Sequence, residues 1–162
     1  MVYVTGPLLY GAAAGAAGTT ALDVVSYGDM LVRGRPASST PETTVRRLAQ
    51  RLHLRIPGEG RAEESRVAAL GALTGLAAGT GMGVMLGLAH AAGWRPARSS
   101  RYAVAVIGAL VATNGPMTAL GVTDPRTWSA TDWVSDIVPH LAYALVTVSV
   151  FDRMVGGAPA AP

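Results

Sequence analysis

The stretch "VAALGALTGLAAGTGMGVMLGLAHAAG", Val67 to Gly93, decides the fold class, because along its whole length the only ionisable side chain is His90. At 1.5 Å per residue a helix over it measures about 40 Å, more than the roughly 30 Å hydrocarbon core of a bilayer. A soluble helix of that length would carry a polar face beside its apolar one, and this stretch carries none. Three further runs share the property. Between Leu8 and Val32 the ionisable groups, tyrosines apart, are Asp23 and Asp29; between Tyr102 and Val122 there is none; between Trp133 and Phe151 there are Asp136 and His140. The expected fold is an all-α integral membrane protein with four transmembrane helices in a bundle, at about 8–32, 67–92, 102–122 and 133–154. One domain is expected over about 1–156, with 157–162 as a flexible C-terminal tail.

Composition narrows the chemistry. The 162 residues are half hydrophobic and include no cysteine, which excludes disulfides, thiolate catalysis and cysteine-ligated zinc. The N-terminal "MVYVTGPLLYG" has no Lys or Arg, so it lacks the charged start of a secretory signal, and helix 1 is expected in the mature chain. All 13 basic residues are arginine. An Ala/Gly/Arg-rich chain without lysine is typical of GC-rich bacterial genomes, which points to a bacterial plasma membrane.

The arginines also give an orientation. Eight of the 13 lie between Arg33 and Arg66, and Arg126 shares that side; Arg95, Arg98, Arg101 and Arg153 lie on the other. The positive-inside rule places the 33–66 loop in the cytoplasm and both termini outside. Within that loop Thr40 is expected as an N-cap, with Pro41 at the first helical position and Pro57–Gly58 closing the segment. Val45, Leu48, Leu52 and Ile56 recur at helical spacing, while Arg46, Arg47 and Arg51 fall mostly on other faces. This is the pattern of an amphipathic interfacial helix whose arginines meet anionic lipid headgroups. A solvated cytoplasmic cap is the plainer reading. Interleaved acids and the lack of a recognised motif argue against nucleic acid.

Gly71, Gly75, Gly79, Gly83 and Gly87 stand four apart and line one slowly drifting face, which lets another helix backbone approach closely. Gly11 and Gly15 form a shorter version in helix 1. Such a face serves packing within the bundle or contact with a second copy or another membrane subunit.

Polar residues gather at one depth. Measured from the cytoplasmic ends of their helices, Asp23 lies about 13 Å in, Asn114 about 12 Å and His140 about 10 Å, with Asp29 and Asp136 shallower. Thr20, Asp23 and Tyr27 share a side of helix 1, as Asp136, His140, Tyr143 and Thr147 share one of helix 4. Pro116 and Pro139 release the carbonyls of Ala112 and Ser135, which protein or trapped water must satisfy at membrane depth. These features lead to the expectation of a cytoplasm-facing pocket of Asp23, Asn114, Asp136 and His140, ringed by Thr20, Tyr27 and Tyr143. An acid near mid-depth costs a few kcal/mol and marks a functional candidate; an Asp23–His140 pair would offset part of that cost. The plainer alternatives are Asp136 at the headgroup level, His140 bonded to a carbonyl, and the prolines as packing kinks.

The segments "GPMTALGVTDP" and "WVSDIVPHLAY" resemble the C-terminal half of the YagU-type bacterial inner-membrane proteins. The matching positions are Pro116, Met117, Leu120, Gly121, Thr123, Pro125, Ser135, Asp136, Ile137, His140 and Leu141. The resemblance covers about a quarter of the chain, and the arginine-rich loop has no clear counterpart in it. It implies an inner-membrane protein linked to acid resistance, with Asp136 and His140 in its core pattern and proton or ion handling as its business.

Three function classes follow. A small channel, transporter or proton relay would use Asp23, Asn114, Asp136 and His140, since histidine as a residue type titrates near neutrality. The alternative is a non-catalytic scaffold or accessory subunit that oligomerises through the glycine-rich helix. An enzyme is not expected. No nucleotide loop, catalytic triad order or zinc motif is present. His90 and His140 lie at different depths and cannot share a haem, so no cofactor is expected. Asp132, Asp136 and His140 share one helix face, but without a fourth ligand Asp136 and His140 are only weak metal candidates.

Overall fold

The computed structural model describes residues 5–157; the remainder of the proposed tail, 158–162, lies outside the described residues. Those described form five α-helices and no strand: α1 (Thr5–Arg33), α2 (Thr40–Arg51), α3 (Arg61–Ala91), α4 (Arg98–Ala119) and α5 (Ala130–Gly156). All except α2 are long and apolar enough to cross a membrane. Leu31, Val32, Leu73, Met85, Ile107, Val111 and Leu145 are among many large apolar side chains left exposed on them, as a lipid-facing surface requires.

The helix ends follow local chemistry. α3 stops where Gly93 takes φ +91°, with Trp94 N–H on Ala89 O at 2.9 Å, and α4 stops at Gly121 with φ +67° and Val122 N–H on Met117 O at 2.8 Å. Both are glycine-terminated Schellman turns. α5 begins with a capping box, in which Ser129 Oγ accepts the Asp132 N–H at 3.2 Å and Asp132 Oδ2 accepts the Ser129 N–H at 2.9 Å. In the basic loop α2 starts at Thr40, so Ser39 occupies the N-cap position expected for Thr40. α2 also ends earlier than its apolar spacing suggests, because His53 adopts φ +55° and reverses the chain after Arg51. Leu52 and Ile56 therefore lie beyond the helix.

The glycine row explains the packing. α1 and α3 run antiparallel with their backbones touching. A Cβ at Gly15 would stand 2.6 Å from Gly79 O, and one at Gly83 would stand 2.7 Å from Gly15 Cα. Gly11 meets Gly83, and Gly87 meets Pro7, in the same way. Each step of four along α1 is answered by a step of four back along α3. Gly71 serves α2, whose Pro41 sits 3.1 Å from where its Cβ would be, while Gly75 faces open space. Four of the five glycines in the row are thus occupied within the chain. Gly18, outside the row, admits Tyr143 of α5 against α1. α4 leans on α5 through Ala105 and Ala109, packed on Tyr143, Ala144 and Val148, and touches α3 less.

Candidate functional site

A cavity of about 780 Å³ lies between α1, α3, α4 and α5 at the end that carries α2. Of the residues expected to gather, Asp23, Tyr27, Asn114, Asp136, His140 and Tyr143 line it. Thr20 does not: it is exposed and its hydroxyl bonds Ala16 O at 3.1 Å. Its neighbour Thr19, buried and bonded to Gly15 O at 2.9 Å, lines the cavity instead.

At the inner end His140, only 7% exposed, is held between α4 and its own helix. Its Nδ1 lies 2.7 Å from Asp136 O. A carbonyl only accepts, so Nδ1 carries the hydrogen. Nε2 lies 3.2 Å from Thr113 Oγ1, and Thr113 Oγ1 is also 3.0 Å from Ala109 O. One hydroxyl has one hydrogen. With a neutral ring Thr113 gives it to Nε2; with a charged ring Nε2 donates to Thr113, whose hydrogen turns to Ala109 O. Asp136 Oδ1 stands 3.6 Å from Nδ1 and is placed to balance that charge, while its Oδ2 accepts from Asn114 Nδ2 at 2.8 Å. Asp23 is half-buried in the cavity wall, and no other described residue bonds its carboxylate. His140 is thus partnered by Thr113 and Asp136, not by Asp23.

Charged residues ring the mouth. Asp29 accepts from Arg33 Nε and Nη2 and from Arg35 Nε, each at 2.6 Å, and Arg33 Nη2 also reaches Ser135 Oγ at 2.7 Å, tying α1 to α5. Asp29 and Asp136, expected at one shallow level, hold different partners: the first Arg33 and Arg35, the second Asn114. Glu42, from the first turn of α2, also lines the cavity, and its Oε2 is buried without a hydrogen-bond partner. Arg46 pairs with Glu63 of α3, whereas Arg47 and Arg51 are exposed.

Beyond His140 the interior is filled. Tyr143 O–H donates to Gly79 O at 2.7 Å, and Val148 and Phe151 are fully buried. Asp152 pairs with Arg101 and, at 3.6 Å, with Arg98 at the far end. Among the described residues no group of three His, Asp or Glu side chains is placed to hold a metal ion.

Thr113, Thr19, Arg33, Arg35 and Glu42 escaped sequence reasoning. A Thr–Asn pair one turn from an intramembrane proline was the available signal for Thr113. No protein-family model, curated protein or solved structure matches the chain. Several residues of the "GPMTALGVTDP" and "WVSDIVPHLAY" segments have local roles in the structure. Gly121 closes α4, Thr123 Oγ1 accepts Trp128 Nε1–H at 2.7 Å, and Asp136 and His140 form the inner cluster.

Proposed function

We propose that this is a multi-pass bacterial inner-membrane protein that admits protons from the cytoplasm into a membrane-spanning bundle and passes them through Asp136, His140 and Thr113. The carrying observation is the cluster that lines the cavity, in which Asn114 bonds the Asp136 carboxylate, His140 Nδ1 bonds the Asp136 carbonyl with the carboxylate 3.6 Å away, and His140 Nε2 meets Thr113, with Arg33 and Arg35 lining the same cavity. A proton accepted at His140 Nε2 turns the Thr113 hydrogen to Ala109 O, and the charge gained faces the Asp136 carboxylate. The arginine asymmetry supports the cytoplasmic placement of the cavity mouth. Trp128 and Trp133, packed edge to face 4.9 Å apart beside it, support an interface at that level. Exposed Leu48, Arg47 and Arg51, with exposed Leu52 just beyond the helix end, support α2 as an interfacial helix binding anionic headgroups. Because Tyr143 and the residues behind it close the far side, translocation proceeds through a second state opened there.

The test is a pH-gradient flux measured with an internal dye in proteoliposomes. Wild type conducts, and His140→Ala and Asp136→Asn, verified as folded, lose the flux. An unchanged flux in His140→Ala removes the proposal. The scaffold alternative keeps α2 and Gly75 as contact surfaces, but most of the glycine row is already used by α1 and α2.

A further inference from the structure

The cavity is far larger than a proton relay needs. At about 780 Å³ it falls within the 300–1,000 Å³ range of pockets that enclose drug-sized molecules. Its two sides differ. Ala72, Leu76, Met82, Ala109, Ala112 and Met117 give α3 and α4 an apolar wall, widened where Gly75 presents no side chain and a Cβ would meet nothing within 4 Å. Against it stand carboxylates without partners: Asp23 on α1, and Glu42, whose Oε2 is buried and unbonded. The two arginines at the mouth do not answer them, since Arg33 and Arg35 are both held by Asp29. A buried carboxylate left unpaired is costly, and a cation in the cavity relieves that cost.

We propose that the cavity binds an amphipathic organic cation, one onium centre on an apolar body, with the charge at Asp23 and Glu42 and the body against α3 and α4. An inorganic metal ion is disfavoured by the absence, among the described residues, of three convergent ligands. An anionic amphiphile would bring its charge to Asp23 and Glu42. The inference builds on the proposed function by naming what shares the cavity with the relay. The acidic wall attracts the cation, and the relay lies at the cavity's inner end.

The experiment is equilibrium dialysis of the full chain in uncharged detergent with tetraphenylphosphonium, and with triphenylphosphine oxide as the neutral counterpart. Wild type binds the cation saturably and the neutral molecule without saturation. Asp23→Asn weakens binding by about 10- to 100-fold, the usual worth of a bond to a charged group. Gly75→Leu fills the apolar side and weakens binding with both carboxylates intact. If Asp23→Asn does not fold, Gly75→Leu and the neutral probe still decide. No saturable binding by wild type, equal binding of the two probes, or an undiminished affinity in folded Asp23→Asn or Gly75→Leu overturns the inference. Proton flux measured without probe on the same preparations separates the two readings. His140-dependent flux without cation binding sinks the ligand alone, and cation binding without His140-dependent flux sinks the relay alone.

Discussion

Replacing Gly83 by alanine puts a methyl group against backbone that cannot turn away. Its Cβ would stand 2.7 Å from both Cα and N of Gly15 and closer still to Gly11 O, so reaching an ordinary 3.4 Å from the Gly15 atoms alone requires α1 to retreat by at least about 0.7 Å. A gap of that size forfeits roughly a third of the dispersion energy of the atom pairs it opens. For some 40 pairs along the seam, each worth about 0.15 kcal/mol, the loss is roughly 2 kcal/mol. Alanine returns up to about 1 kcal/mol through its better helix propensity. Gly81 supplies the control, because it lies in the same helix and a Cβ there meets nothing within 4 Å. Propensity cancels between Gly83→Ala and Gly81→Ala, leaving an expected difference of about 2 kcal/mol, or more than tenfold in the unfolding equilibrium. Reversible unfolding in mixed micelles, with detergent fraction as denaturant, measures it. If the two variants are equally stable, the close α1–α3 seam does not exist, and the packing built on it fails.

Tyr143→Phe removes the bond to Gly79 O while keeping the ring, and should lower stability in the same assay by about 0.6 kcal/mol, at most about 1.7. Thr113→Val takes away the only side-chain partner of His140 Nε2 and should slow proton flux and alter the imidazole ¹⁵N shifts, while melting stays near wild type; unchanged shifts would remove Thr113 from the relay. Outside the spanning helices, hydrogen bonds from the Arg126 side chain and then its backbone N–H hold the Asp124 carboxyl below its ordinary value. A depressed folded value makes its stabilisation fully present above the unfolded pKa of about 3.9 and lost as pH falls through the folded value. Carboxyl NMR should therefore find Asp124 titrating below that reference, and Arg126→Ala should raise it part of the way, since the backbone N–H bond remains.

The four long helices were legible because apolar run length is a one-dimensional signal that bilayer thickness converts directly into structure. Asp23, Asn114 and His140, expected at one depth, line one cavity. What failed was azimuth. Equal depth suggested an Asp23–His140 pair, yet α5 turns His140 toward α4, where its nitrogens meet Thr113 and the backbone of Asp136. One residue step rotates a helical side chain by about 100°, enough to exchange Thr20 for Thr19 at the cavity wall. The glycine row had a similar blind spot. Spacing shows that a neighbour can come close, but only the assembled chain shows that Gly83 has such a neighbour and Gly75 does not. The end of α2 was hidden too, since a left-handed residue is signalled by glycine and here it is His53.

Two of the seams between helices, α1–α3 and α4–α5, differ in kind. α1 and α3 meet through glycine backbones, an interaction without titratable groups and indifferent to charge. At the level of the cavity α4 and α5 meet through Thr113–His140 and Asn114–Asp136, where both α5 partners change their hydrogen-bonding capacity when protonated. Protonated Asp136 is a weaker acceptor for Asn114, and protonated His140 reverses its bond with Thr113. Those two bonds join α5 to α4, the long helix least engaged with the rest of the chain. Glycine contacts join α1 to α3, and hydrogen bonds of ionisable side chains join α4 to α5. The positions of small and ionisable residues thus give the two pairs of helices different kinds of contact, with the cavity between them.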